Sequence, residues 1–332
     1  MKKRREIAAI LAAVLLFLCL GFGAGALLRP VRTQFGCMWP AYLREERNSL
    51  DVLYFGSSMV YCDVAPAWVW AESGLRGFVM AAPEQTMPIT YYYVREACRT
   101  QSPRIILLEA TGMFFSEYQN YTKPNISYMP FGWNRLAAMT AAAEPSLWDG
   151  LLFPLLHYHD RWTDVSADEL RANLAPAADT LAGFTLLEDA CAAPTPYERE
   201  ELTADSDTYR ENLRWLERIR DFCAGRGIGL QLYIAPSASR IPASAMETLR
   251  ADAAERGIEL LDCNARLPEM GIDDDADWYD YLHFNAFGAE KFSRWLGRYL
   301  ADETGNAGGG RGDALWAERL RTLDDRMGRA EA

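Results

Sequence analysis

Five short apolar runs, Asp51–Phe55, Gly77–Ala81, Arg104–Ala110, Gly229–Ala235 and Glu259–Asp262, alternate along the chain with segments of helical composition. Ile105–Leu108 in the third run has no polar face. A strand of that kind is buried on both sides, which a parallel sheet achieves by carrying its crossover helices above and below. Those helices are expected through Pro66–Trp70, Pro88–Thr100, Thr208–Arg226, Ala243–Arg256 and Ala286–Leu300, with Pro66 suited to a first helical turn. The expected fold is α/β, a three-layer (flavodoxin-like) arrangement on a central parallel sheet of about five strands, with its site at the carboxyl ends of the strands.

The alternation stops between about 111 and 200, where aromatic, proline-rich and helical segments such as Trp133–Ala143 take over. That stretch reads as a largely helical insertion in a domain spanning 49–300, covering or lining the site. Residues 29–48 mix Pro30, Pro40 and charges and read as a connector. Residues 301–332 read as a glycine-rich linker, Gly305–Gly312, followed by a charged helical tail from Ala314.

The first 28 residues differ from the rest. Lys2, Lys3, Arg4 and Arg5 precede Ile7–Leu28, a charge-free run of the length a membrane helix needs. Basic residues on that flank predict a cytoplasmic N-terminus, a single-pass anchor and an extracytoplasmic body. The competing reading is a cleaved secretory signal, because Ala24-Gly25-Ala26 matches the small-x-small pattern of a cleavage site. The body is exported in either case, and secreted in the second.

The formal charge of −12 becomes −15 when Lys2, Lys3, Arg4, Arg5 and Glu6, together +3, are set aside. Such a body repels phosphate backbones, so nucleic acid is not an expected partner, and neutral or cationic substrates fit better. The seven cysteines show no Cys-x-x-Cys pairing, which argues against a zinc ribbon or a thioredoxin-type site. They read as buried thiols or as disulfide partners outside the membrane.

The first strand breaks into Gly56-Ser57-Ser58. A serine just after a strand, on a tight glycine-containing turn, is displayed at the sheet edge with backbone N–H groups nearby. Ser58 fits that description best. A hydroxyl attacks poorly until an imidazole takes its proton and a carboxylate fixes the imidazole's tautomer. Only His157, His159 and His283 are available. His283 lies just before the last helix of the domain, with Asp280 three residues earlier, a spacing that permits contact in a turn. Asp277 is the weaker substitute, among acids that read as solvated loop charge.

Gly56-Ser57-Ser58-Met59 together with Asp280-Tyr-Leu-His283 resembles the SGNH/GDSL hydrolase superfamily. The resemblance covers roughly Ser49 to Leu300 and implies Ser58 as nucleophile, with His283 as base and Asp280 as acid. Ala82-Pro-Glu-Gln-Thr86 before Tyr91-Tyr-Tyr93, and His159-Asp-Arg-Trp162 in the insertion, are similar to membrane-anchored bacterial members related to the D-alanyl-transfer protein of teichoic acid systems. Where the family's second and third blocks supply a glycine and an asparagine to the oxyanion hole, this chain has Glu84-Gln85 and Glu109-Ala-Thr111. The Ser58 N–H and the Gln85 amide are the candidate donors.

Tyr61, His159, Arg161 and Asn285 are candidate substrate-pocket residues. His157-Tyr-His159 on an extended strand would offer two metal ligands on one side, but no third is evident, and neither metal nor cofactor is expected. The expected activity is that of an extracytoplasmic serine esterase or O-acyltransferase acting on a cell-envelope polysaccharide or other acylated cell-wall polymer. The rival is a noncatalytic polymer-binding or assembly partner of a membrane O-acyltransferase.

Overall fold

The computed structural model describes residues 2–31, 38–116, 119–305 and 313–328, apart from the side chains of Gln119 and Asn120. Its centre is a parallel sheet built from β1 (Val52–Phe55), β2 (Gly77–Val79), β3 (Ile105–Glu109), β5 (Gly229–Ile234) and β7 (Glu259–Asp262), in the order β2-β1-β3-β5-β7. Two further strands, β4 (Tyr197–Glu198) and β6 (Ser239–Arg240), form a small parallel pair.

Side chains alternate between the faces of each strand, and the core divides accordingly. Leu53, Phe55, Ile106, Leu108, Leu232 and Ile234 pack on one face with Tyr93, Leu216, Ile219 and Leu249 of the helices Met87–Ala97, Asp207–Ala224 and Ala243–Glu255. Tyr54, Val79, Leu107 and Tyr233 pack on the other with Trp68, Val69, Phe292 and Leu296 of Pro66–Ser73 and Ala286–Thr304. The molecule is thus a three-layer α/β structure. The strand order reverses between β1 and β3, and in open parallel sheets the crevice for ligands forms outside the carboxyl ends at such a point.

Between β3 and β4 the chain forms a series of short helices, among them Gln119–Ser127, Trp133–Ala142, Pro154–Tyr158 and Ala167–Leu174. An extended strap follows. It donates from Thr185 N–H to Tyr61 O at 2.6 Å, and its Ala182 and Leu187 carbonyls accept from the N–H groups of Val79 and Ala286 at 2.9 and 2.8 Å. The strap therefore links β2, the segment after β1 and the start of the last domain helix.

The N-terminal helix α1 (Lys2–Leu28) is long and apolar enough to cross a bilayer. Residues 2–20 are exposed along its whole circumference, and coverage begins at Gly21. The tail helix Ala314–Arg326 is docked. Trp316 and Leu323, seven residues apart on one helical face, are buried, and Trp316 meets Trp70 at 6.3 Å between ring centroids. The preceding glycine-rich linker lies, from 306 to 312, outside the described residues. The six described cysteines are free thiols, and Cys37 lies outside the described residues.

Candidate active site

β1 delivers the chain to Gly56 at the switch point. Gly56 has φ +147°, and a Cβ there would lie 2.7 Å from both Glu109 Cβ and Val60 Cγ2, so only glycine lets the turn pass this close to the end of β3. Ser57 is buried, whereas Ser58 opens the short helix Ser58–Tyr61 and is partly exposed. As the first helical residue, Ser58 has an N–H with no intrahelical acceptor.

His283 reaches this turn from the loop before Ala286–Thr304. The Ser58 hydroxyl donates to His283 Nε2 at 2.8 Å, and His283 Nδ1 lies 3.0 Å from each carboxylate oxygen of Asp280. An acceptor-only carboxylate at Nδ1 places the ring proton there and leaves Nε2 free to accept the serine proton. Burial pushes the Asp280 carboxyl up, but the His283 ring and the N–H groups of Leu282 and His283, at 2.7 and 2.9 Å, hold it below its usual value. Asp280 is therefore ionised, as an orienter must be.

The loop itself is fixed from three sides. Asn285 caps the following helix, accepting from the N–H groups of Phe287 and Gly288 at 3.0 and 3.2 Å, while its amide donates to Ala276 O at 2.7 Å. The rings of Trp278 and Phe284 lie 4.6 Å apart between centroids, across a bridge that closes the loop. Asp63, fully buried, accepts from Phe284 N–H at 3.0 Å, and its carbonyl accepts from the Ser293 hydroxyl at 3.1 Å. Asp63 thus couples the segment after the Gly56-Ser57-Ser58 turn to the backbone immediately after His283.

Two buried acids lie beneath the site, and burial raises both. Asp63 is raised well above its usual value by burial, against a lowering by the Phe284 N–H and with further raising by Asp280 and Glu109. Glu109 is pushed up to about 7, even though the Thr111 hydroxyl and the N–H groups of Thr111 and Ala235 favour its charged form. Asp63 went unnoticed in the sequence, and Glu109 was noted there only as standing where an oxyanion donor was expected. Their signal there is a single acid inside an apolar stretch, Asp63 between Cys62 and Val64, and Glu109 after Ile105–Leu108.

The remaining candidates are placed differently. Gln85 is buried, with Nε2 donating to Thr90 Oγ1 at 3.0 Å, so one of its amide hydrogens is already engaged. Tyr61 is buried one turn after Ser58, and Asn285 serves as a helix cap rather than as a pocket wall. Asp277 pairs with Lys291 at 2.6 Å and does not reach His283.

His159 and Arg161 belong to the other end of the insertion. Arg161 donates to Leu28 O at 2.6 Å and pairs with Glu169 at 2.8 Å, while Asn173 donates to Leu27 O and Arg29 O. A helix end leaves carbonyls without intrahelical partners, and these side chains satisfy the last two of α1, Leu27 and Leu28. The extended His157–His159 segment is also replaced by helix: Pro154 opens Pro154–Tyr158, and His159 begins a 3₁₀ turn, so the two imidazoles do not share a strand face. Among the described residues, no group of His, Cys, Asp and Glu side chains could hold a metal ion. A cavity of about 460 Å³ lies between Arg29–Val31 and the strap, and neither Ser58 nor His283 lines it.

No family model and no curated protein matches the chain. A solved structure described as a gut microbial diltiazem-metabolizing enzyme is 9% identical, with a TM-score of 0.29 over 78% of this chain and 49% of that one. The chain thus spans about half the length of that protein, and a likeness at this level carries no argument about function.

Proposed function

We propose that the chain is a serine-dependent esterase or O-acyltransferase of the SGNH type, anchored by α1 with its body outside the cytoplasm. The observation that carries this reading is the continuous relay from Ser58 Oγ to His283 Nε2 at 2.8 Å and from His283 Nδ1 to Asp280 at 3.0 Å, within the reach that proton transfer requires.

In the proposed reaction, Ser58 Oγ bonds to an ester carbonyl carbon while His283 Nε2 takes the hydroxyl proton, and the carbonyl electron pair moves to oxygen. The Ser58 N–H faces the developing oxyanion. Collapse breaks the bond to the leaving alkoxide, which takes the proton from Nε2 and departs as an alcohol. The acyl group on Ser58 then passes to water or to a sugar hydroxyl by the same steps in reverse order. Asp280 stabilises the imidazolium at both stages.

An acylated cell-envelope polymer suits this site because the body is acidic and the anchor would hold it beside the envelope. Retention of α1 is favoured over cleavage because Gly25 is buried against the insertion, where a Cβ would lie 2.6 Å from Leu155 N. The rival reading, a noncatalytic polymer-binding partner of a membrane O-acyltransferase, draws on the engagement of Gln85 by Thr90 and on Glu109 at the end of β3. Hydrolysis of p-nitrophenyl acetate by the full chain separates the two: a rate abolished by Ser58→Ala supports the enzyme, and a rate equal in both proteins refutes it.

A further inference from the structure

α1 is long enough to cross a bilayer, but the part of its hydrophobic stretch left bare by the insertion is not. Residues up to Leu20 are bare, and from Gly21 onward the insertion covers the helix. The bare apolar part, Ile7–Leu20, spans about 21 Å at 1.5 Å per residue, against a hydrocarbon core of about 30 Å. The missing ~9 Å corresponds to about six more residues, reaching Ala26. Phe22 and Gly25 therefore belong at hydrocarbon depth, and whatever touches them does too.

The insertion touches both. The Phe22 ring lies 5.1 Å from that of Phe131 and 5.9 Å from that of Phe153, and Gly25 lies directly against Pro154 and Leu155. The absence of a side chain at Gly25 permits this approach, as small residues do between membrane helices. Around the contact large apolar side chains are bare, Phe131 at 56% exposed, Leu156 61%, Trp162 70% and Trp133 87%, with His157, His159 and Asp160 exposed between Leu156 and Trp162. Arg161 and Asn173, which hold the last carbonyls of α1, mark the level of its outer end. Tryptophans around an apolar patch at that height are the composition of a membrane interface.

We infer that the insertion is seated in the lipid leaflet on the body's side of the membrane, with Phe131, Trp133, Phe153, Leu156 and Trp162 facing lipid, beside the outer turns of α1. The inference rests on the reading of α1 as a membrane span. Its consequence is that the body is held in one orientation on the membrane rather than tethered by a free stalk.

The test uses the full chain reconstituted into phosphatidylcholine vesicles containing acyl-brominated lipid, with flotation measured on the same sample. None of the ten tryptophans lies in α1, so quenching by bromine reports the body alone. The expected result is flotation with partial quenching, most of it lost in W133Y/W162Y. Flotation without quenching, or quenching unchanged in the double variant, overturns the seating while sparing the anchor, and leaves a membrane protein as the partner for this face. Failure to float overturns the anchor and the seating together.

Discussion

Replacing Glu109 by glutamine isolates the energetic cost of a buried acid under the nucleophile turn. Glu109 closes β3 with its Cβ against Gly56, and burial moves its carboxyl from 4.5 to about 7. A raised carboxyl holds a proton in the folded chain that the unfolded chain has already released. Its contribution to stability is therefore complete below pH 4.5, falls as pH rises through the window to about 7, and is gone above it. A shift of about 2.5 units at 1.36 kcal/mol each corresponds to about 3 kcal/mol. Glu109→Gln removes that slope. The hydrogen bonds of the new amide add an offset, but the offset does not vary with pH. Asp63 titrates in both proteins, and its slope cancels in the difference except for the smaller part that the Glu109 charge sets. Urea unfolding of the full chain in detergent, followed by tryptophan fluorescence from pH 4 to pH 8, should show the mutant gaining about 3 kcal/mol on the wild type across the series. A stability gap that stays the same at every pH would mean that Glu109 is not a protonated buried acid.

Asp280→Asn removes the charge that fixes the His283 tautomer, and ester hydrolysis should fall on the order of 10³- to 10⁴-fold while the unfolding midpoint stays close to wild type. Asp63→Ala leaves the Phe284 N–H buried without its acceptor at a cost of about 1–3 kcal/mol, and both the unfolding midpoint and kcat should drop; Asp63→Asn, which keeps a neutral acceptor, should restore both. Gly25→Leu puts a side chain where a Cβ already lies 2.6 Å from Leu155 N and 3.0 Å from Pro154 Cβ. It should prise the insertion from α1, visible as faster limited proteolysis between 119 and 174 with flotation retained.

Strand placement was legible in the sequence because burial on both faces leaves an unbroken apolar run: Ile105–Leu108 marks β3, and Glu259–Asp262 coincides with β7. The polar parts of the site were legible for a different reason. With three histidines in the chain, one of them three residues after an acid, few combinations exist, and the structure brings Ser58, His283 and Asp280 together. What could not be read is placement set by long-range packing. Arg161 reaches Leu28 across 133 positions, and Asp63 reaches Phe284 across 221, contacts that no local pattern encodes. Asn285 looked like a pocket residue, but its role as a helix cap follows from the two N–H groups after it. The tail helix read as a charged segment because most of its face is charged, yet it docks through Trp316 and Leu323 and through Arg319, buried in a pair with Glu45.

The proposed chemistry depends on Ser58 being a nucleophile activated by His283. A fluorophosphonate offered to the full chain, with the adduct located by peptide mass spectrometry, tests it most directly. A single phosphonyl group should form on Ser58, be retained in Ser57→Ala and be lost in both Ser58→Ala and His283→Ala. An adduct that forms at the same rate without Ser58, or on Ser58 at the same rate without His283, would contradict it.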